Sequence, residues 1–544
     1  MIGGAPPKKF SSPPTIGGAP PEKFSSPPEK FSSPPKSFSF PPMIGGAPPK
    51  SVASPPKIGG KVRDVVLRDS LAAGAMAAAK EMFLFNHVSR GFAGYSRERR
   101  VLAVRAAVSA GATPPVLRRR GARQRADRRL ICEDAGMHSI ATLIIGGGIA
   151  GSSLACAMAE RGAGRGVAIV DVDIFGKLNS SELNGGGVRC TFAEPVNVRL
   201  CLHSTRYYMQ HARQFDYRQR GYLWMFDEAL WQESRQFLPA VRAFGLPVQE
   251  LSPRELRERF GVLDDVSDVA GATFTPFDGR LSPHQLRMHY LNYAQAGEVE
   301  LMDRWEVVRM EGNASPYEVT LSRVPPRSVR RVLGGQPAAS RGAGREQLTF
   351  RAERIINAAG PWASRVAKLY GRELPVQPYP RQVFLLRHQE VNLESEPFFI
   401  DYPQDIYFRY YERDRKPCTL VSWSDPVERA RIDFTPHSAT YYEQHVKPRL
   451  VRRIPALREA ELFHGWVGHY ELSPDKNAIV GPVPQRDGLF NYNGLSAHGV
   501  MQSRALGEAL ASLLIDGRWS DELNLDCLLE ARFERGSVME KMYV

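Results

Sequence analysis

ATLIIGGGIAGSSLACAMAERGAGRGVAIVDVD, residues 141–173, is the stretch from which the fold can be read. Ile140–Ile145 is a short, nearly continuous apolar run, the pattern of a parallel strand buried on both faces. A glycine turn and a helical pattern follow, then a second apolar strand, Val167–Val170, ending in Asp171; together they make one βαβ unit. In the turn, Gly146 permits the tight bend, Gly148 lets backbone approach a pyrophosphate, and Gly151 lets helix pack close to strand. Ala155 keeps that contact small. The helix start, with Ile149 and Ala150 among the glycines, offers free N–H groups and a positive dipole end to phosphates. Asp171, twenty positions beyond Gly151, stands where a carboxylate accepts the hydroxyls of an adenosine ribose. By itself the unit specifies a cofactor containing ADP and does not separate FAD from NAD.

Upstream the texture is different. Residues 1–57 repeat IGGAPP three times and FSSPP three times. Paired prolines and scarce apolar surface make this a disordered extension, either a solvated tail or an SH3-type ligand. Residues 58–136 are rich in Ala and Arg, mostly disordered by the same reasoning, and the stretch MFLFNHVSRGFAGYSRERR from Met82 has the basic, acid-poor look of a mitochondrial presequence. The competing reading starts the working protein at Met137, just before the first strand. The first places the protein in the mitochondrial matrix, the second in the cytoplasm.

The formal charge of +14 belongs to this leader: residues 1–136 hold 23 Lys+Arg against 9 Asp+Glu, and residues 137–544 hold 49 of each. A nucleic-acid-binding body would carry its charge on the folded part, so no nucleic-acid partner is expected. The six cysteines include no C-x-x-C pair, which points away from a disulfide framework or zinc site and toward a reducing compartment, and no metal is expected. No apolar run approaches the roughly 20 residues of a membrane span.

Downstream, Ala229–Phe244 and Ser282–Ala296 read as helices, the second opened by a Ser282-Pro283-His284-Gln285 capping box. Segments Arg304–Val308, Tyr317–Leu321 and Gln347–Arg351 read as a β-meander, interrupted by a basic Pro/Gly-rich insertion, residues 325–345, expected to be a disordered hairpin loop. A strand Arg354–Ile356 then runs into NAAGPWAS, residues 357–364. A second Gly-rich segment, NGGGVR, occupies residues 184–189. Near the C-terminus SPDKNAIVGPVP, residues 473–484, precedes GLSAHGV, residues 494–500, which enters an amphipathic helix, Met501–Leu514.

This ordered set of motifs resembles the D-amino-acid oxidase/glycine oxidase/sarcosine oxidase family of FAD enzymes over essentially all of residues 139–517, and within it the mitochondrial and bacterial branch with a GGVR motif. The resemblance implies an α/β protein with a discontinuous Rossmann-like FAD-binding domain, residues 137–215, 276–375 and 465–530. A β-rich α+β substrate domain, residues 216–275 and 376–464, completes it. It adds Gly186, Gly187, Val188, Ala359, Gly360, Trp362, Gly494, Ser496, Gly499, Val500 and Met501 to the FAD contacts, with the N–H groups of Gly499 and Val500 beside the isoalloxazine. Two-electron reduction puts negative charge on the N1/C2=O end of a flavin, and a helix N-terminus stabilises it there.

The implied reaction is oxidation of a C–N bond of an amino acid or a secondary or N-methyl amine by hydride transfer to flavin. A carboxylate substrate calls for the planar fork of an arginine; Arg189, at the end of NGGGVR, and Arg409, on a predicted strand, are the candidates, with Tyr407 and Tyr470 as pocket walls. His498 is either a catalytic group or a turn residue with no proton role. Met501 stands where sarcosine oxidases carry a carboxylate-binding lysine, Phe192 where they carry its partner arginine, and Tyr470 where glycine oxidases carry an arginine. Gly468 matches the cysteine that links flavin covalently in sarcosine oxidases, so FAD is expected to be non-covalent. Lys416 lies only near the position of the oxidases' oxygen-activating lysine, which leaves oxygen, a quinone or a protein carrier as electron acceptor. The alternative function is a flavoprotein that acts mainly as an assembly or interaction factor, with little turnover.

Overall fold

The computed structural model describes residues 132–134, 137–336 and 346–542. The chain divides into two units between Arg90 and Gly91; the first lies outside the described residues, as do the repeats and nearly all of the basic leader.

β1 (Cys132–Asp134) and β2 (Met137–Ile145) lead through the glycine turn into α1 (Ile149–Glu160), and β3 (Val167–Asp171) returns beside β2. Ile144 pairs with Ile169 and Ile145 with Val170 in parallel register, as two continuous apolar runs require. Next come β4 (Gly187–Val188), α2 (Pro195–Gln210), β5 (Tyr222–Phe226), a helix over Glu228–Ala243, β6 (Gln249–Leu251), β7 (Gly271–Thr275) and β8 (Gly279–Arg280). α3 (Pro283–Ala296) begins with Pro283 in the first turn and the Gln285 N–H donating to Ser282 Oγ, but the expected capping box is only half formed, because the Ser282 N–H donates to the Phe215 carbonyl and not to the Gln285 side chain. β9 (Glu300–Asp303), β10 (Trp305–Glu311), β11 (Tyr317–Arg323) and β12 (Gln347–Asn357) follow. The rest comprises β13 (Gln377–Arg387), β14 (Phe398–Asp401), β15 (Ile406–Arg413), β16 (Lys416–Trp423), β17 (Glu461–Leu472), β18 (Ile479–Pro482), β19 (Leu489–Asn493) and α4 (Gly499–Asp516).

The strands sort into two large sheets. The first runs β10-β11-β12-β2-β3-β9, with β19 beside β12 and β18 beside β19. β12 joins two strands that the sequence reading separates: its start closes the antiparallel meander with β11, and its end runs parallel to β2 and β19. Helices α1 to α4 contribute to one core, where Leu154, Leu286, Leu506 and Leu510 are fully buried. Each such side chain contributes roughly 1.5–3 kcal/mol relative to exposure. Tyr317, Val319 and Phe350 build a second core with Leu143 and Ile355.

The second sheet runs β17-β13-β16-β15-β14-β5-β7-β6. Along β5 the side chains alternate, Leu223 and Met225 entering one core and Tyr222, Trp224 and Phe226 the other. The architecture is thus α/β, a Rossmann-like sheet with its helical layer joined to a β-rich α+β unit, and each is assembled from separated segments of chain.

Two boundaries differ from the sequence reading. Residues 465–472 belong to the second sheet, because β17 pairs with β13 along its whole length. The insertion is not structureless where it is described. Residues 326–333 form a 3-10 turn and a short helix, because Val329, Val332 and Leu333 find a small core with Val324. Residues 337–345 lie outside the described part.

Candidate functional site

The ends of β2, β3 and β12 point into a cavity of about 330 Å³ lined by Ile145, Gly146, Asp171, Ala358 and Ala359 among others. This is the place where open α/β sheets bind ligands, outside the carboxyl ends of the parallel strands. Gly146 has φ +117°, and a Cβ there would lie 2.2 Å from the Ala358 carbonyl oxygen. A Cβ on Gly151 would lie 2.0 Å from the Gly146 oxygen, so both glycines are dictated by close backbone approach. Gly148 caps α1, and Gly148, Ile149 and Ala150 line the cavity.

A second helix start reaches the same cavity. Ser496 and Ala497 adopt left-handed φ of 46° and 67°, unusual for residues with side chains. They turn the chain from β19 into α4, whose first residues, Gly499 and Val500, line the cavity together with Leu495 and Ala497. Two positive helix ends on one cavity make a site for an elongated anion.

The turn is buttressed by polar groups that sequence reasoning missed. Ser181 Oγ accepts the Ile149 N–H at 2.8 Å. Asp171 uses its carboxylate on the N–H groups of Gly147, at 2.6 Å, and Asp173, at 2.8 Å, and still lines the cavity. Beneath it, Arg287 is 1% exposed and donates to the carbonyls of Gly147 and Ile174 while pairing with Glu182. Replacing Ser181 by alanine leaves a buried N–H without its acceptor, and is expected to lower stability by about 1 kcal/mol; urea denaturation of the full chain measures it.

Glu471, on β17, lines the cavity, and its Oε2 has no hydrogen-bond partner among the described residues. Burial pushes this carboxyl up to about 8, against the opposing pull of the N–H groups of Gly494 and Leu495. Between the ordinary carboxyl range and about pH 8 the folded chain therefore holds a proton that the unfolded chain has lost. Stability of the FAD-free protein should fall as pH rises through that window, and Glu471→Gln should flatten the decline. Thermal unfolding at pH 5, 6.5 and 8 tests this; parallel profiles for the two proteins would refute it.

Of the residues singled out from sequence, Gly146, Gly148, Ile149, Ala150, Asp171, Ala359, Gly360, Trp362, Gly499 and Val500 line the cavity, as do Tyr407 and Tyr470. The short helix of the insertion contributes to the wall through Val332 and Leu333, and the Trp362 indole N–H donates to the Leu333 carbonyl at 2.7 Å. Gly151, Gly494, Ser496 and Met501 lie behind the lining, Ser496 Oγ bonded to the Gly494 carbonyl. Gly187 and Val188 pair with Arg280 and Gly279, and Gly186 accepts the Leu281 N–H, so it is Asn184 and Gly185 of this motif that reach the cavity.

The three candidate catalytic residues stand one layer back. Arg409 is buried, its guanidinium on the carbonyls of Gly185 and Tyr410. Arg189 donates to the carbonyls of Thr191 and Met542, both at 2.6 Å, and approaches His498 Nε2 at 3.3 Å. Burial, and then the Arg189 charge, holds His498 well below the ordinary histidine range, so its ring is neutral. Lys416 lies exposed at the hairpin between β15 and β16. Arg381, absent from the sequence reading, lines the cavity with its guanidinium 5.2 Å from the Tyr470 ring.

The glycine turn, the acid at the end of β3, the two helix starts and the unpartnered Glu471 oxygen fit the FAD that the motifs imply. Residues 141–513 match the model of a family described as FAD dependent oxidoreductase. The chain is 26% identical over 424 residues to FAD-dependent oxidoreductase domain-containing protein 1 of Xenopus laevis, covering 72% of this chain and 82% of that protein. It is 22% identical over 297 residues to the mitochondrial sarcosine dehydrogenase of Mus musculus, 53% of this chain and 29% of that one. Among solved structures, L-proline dehydrogenase from P. horikoshii superposes with a TM-score of 0.61 at 23% identity, covering 74% of this chain and 99% of that chain. Glycine oxidase from Geobacillus kaustophilus superposes with a TM-score of 0.57 at 20% identity, covering 73% and 99%.

Proposed function

The chain belongs to the FAD dependent oxidoreductase family, and from that premise we propose that it oxidises the C–N bond of an amino acid or a secondary or N-methyl amine. The observation that carries this reading is the convergence of the α1 and α4 starts on one cavity that is continued by aromatic residues of the second sheet. The Gly146–Gly148 turn and the start of α1 would hold the pyrophosphate, and Asp171 the ribose. The N–H groups of Gly499 and Val500 would hold the N1/C2=O end of the flavin, without a covalent link. Bound there, FAD would supply the hydride acceptor for oxidation of the substrate's C–N bond to an imine, which water would hydrolyse after release.

The protein's part is to orient the amine, exclude water and keep neighbouring groups in fixed protonation states. His498, buried and neutral, adds no charge beside the site, and Tyr407, Tyr470 and Val383 line it. The electron acceptor follows as oxygen, a quinone or a protein carrier. Among the described residues no helix is long and apolar enough to cross a membrane; a matrix location would parallel the mitochondrial relative, a cytoplasmic one the start at Met137. Anaerobic mixing with a panel of amino acids and N-methyl amines tests the reading. At least one should bleach the flavin absorbance, and a yellow protein that none of them bleaches would overturn it.

One observation favours the second reading, an assembly or interaction factor with little turnover: Arg189 is engaged by the chain's own Met542 carbonyl. On that reading the yellow protein stays oxidised on every substrate offered.

A further inference from the structure

We propose that the pocket beside Arg189 that Met542 fills is the substrate's own subsite, built for an α-amino acid with a large apolar side chain, and that residues 538–542 are a displaceable strap over it. The proposal rests on the amine-oxidising reading and narrows it to a substrate class.

Arg189 is 4% exposed and, among the described residues, forms no ion pair within 4 Å. Its donors go to the Thr191 and Met542 carbonyls and toward the His498 ring. The guanidinium carbon lies 3.9 Å from the Phe192 ring centroid and 4.8 Å from that of Trp224. A buried cation held by neutral dipoles and aromatic faces is the arrangement that a carboxylate completes, since the desolvated charge then gains an opposite one.

Met542 presents to this pocket what an apolar amino acid would present. Its carbonyl oxygen sits on the guanidinium at 2.6 Å. Its side chain, 2% exposed, packs in the cluster of Tyr222, Trp224, Phe398 and Tyr407. The pocket adjoins the FAD cavity: Tyr407 and Val383 belong to both, and His498 caps the helix whose Gly499 and Val500 line that cavity.

The strap is anchored by the Glu540 side chain, which also accepts the Met542 N–H at 2.9 Å. The Glu540 carboxylate accepts the N–H groups of Ala193 and Glu194 and the Asn197 amide, at the start of α2. Val538 and Met539, just before it, are 66% and 54% exposed. Rotation beyond the Met542 N–H lifts the Met542 carbonyl and side chain while Glu540 stays seated, and a substrate carboxylate then takes the place of the Met542 carbonyl.

Calorimetric titration of the FAD-loaded full chain with L-methionine, L-phenylalanine, methioninamide and sarcosine tests this. Met542→Gly removes the plug's side chain and should tighten binding of L-methionine and L-phenylalanine at least tenfold. Methioninamide, which lacks the carboxylate, should gain nothing, and adding Arg189→Gln should abolish the gain. A chain ended after Ser537 gives a second route if the glycine variant fails to fold, and should show the same preference. Unchanged methionine affinity in the opened variant overturns the proposal. The two readings fail separately: tight binding without bleaching keeps the pocket and sinks the oxidation, whereas bleaching by sarcosine with no gain in the opened variants keeps the oxidation and sinks the pocket.

Discussion

Gly146→Ala is expected to yield a protein that purifies colourless and is less stable by about 2–4 kcal/mol. Two effects combine at this position. The backbone has φ +117°, which a residue with a side chain adopts only under strain, and the new Cβ would stand 2.2 Å from the Ala358 carbonyl oxygen. That carbonyl cannot move alone, because the Ala358 N–H donates to the Ile145 carbonyl and β12 is registered against β2. Relief must come from the turn, which shifts the start of α1 away from the phosphates. Gly148→Ala is the control. Its Cβ would meet nothing nearer than Ser181 Oγ at 3.5 Å, so the fold should survive. The added methyl stands on a residue that lines the cavity, so FAD should bind more weakly with stability nearly unchanged. Urea denaturation and flavin content of the two variants separate the effects; a stable, yellow Gly146→Ala protein would contradict the account of the turn.

Arg287→Met should cost about 3–5 kcal/mol, because it leaves the Glu182 carboxylate buried without its main partner. The pair is enclosed, with side chains 1% and 6% exposed and an N–O distance of 2.7 Å. Burial pushes the Glu182 carboxyl up, but the His284 and Arg287 bonds outweigh this and hold it below its ordinary value. Its contribution is therefore present above the ordinary carboxyl range and lost as pH falls through the lowered value. The same arginine donates to the carbonyls of Gly147 and Ile174, so the glycine turn should loosen as well. Expected readouts are a fall in Tm of roughly 5–10 °C and weaker FAD retention on dilution. Adding Glu182→Gln should restore part of the stability, since it removes the stranded charge. A single variant with unchanged Tm would show that the pair is dispensable.

These two sites mark what was legible in the sequence. The turn was readable because its glycines, helix and acid are consecutive, and each residue type has one physical reason to be there. Arg287 was not, because its partners are Glu182, 105 residues away, and two backbone carbonyls that no periodicity announces. The same holds for Ser181 beneath α1 and for Glu471, whose carboxyl becomes notable only once the second sheet buries it. Arg189 was found through its motif, yet its contact with Met542, 353 residues on, could come only from the fold. Polar, glycine-rich composition made residues 325–345 look structureless, but three aliphatic side chains spaced on a helix turn were enough to seat part of it against Trp362.

The central claim, C–N oxidation on bound FAD, is tested most directly by a single anaerobic turnover with the best substrate from the panel. Flavin reduction and the imine, or the carbonyl compound it hydrolyses to, are quantified together, after which the flavin is freed by denaturation. The account predicts one equivalent of imine plus carbonyl product per FAD reduced, with all of the FAD in the supernatant. Flavin that stays oxidised, or is reduced without formation of imine or carbonyl product, would contradict it.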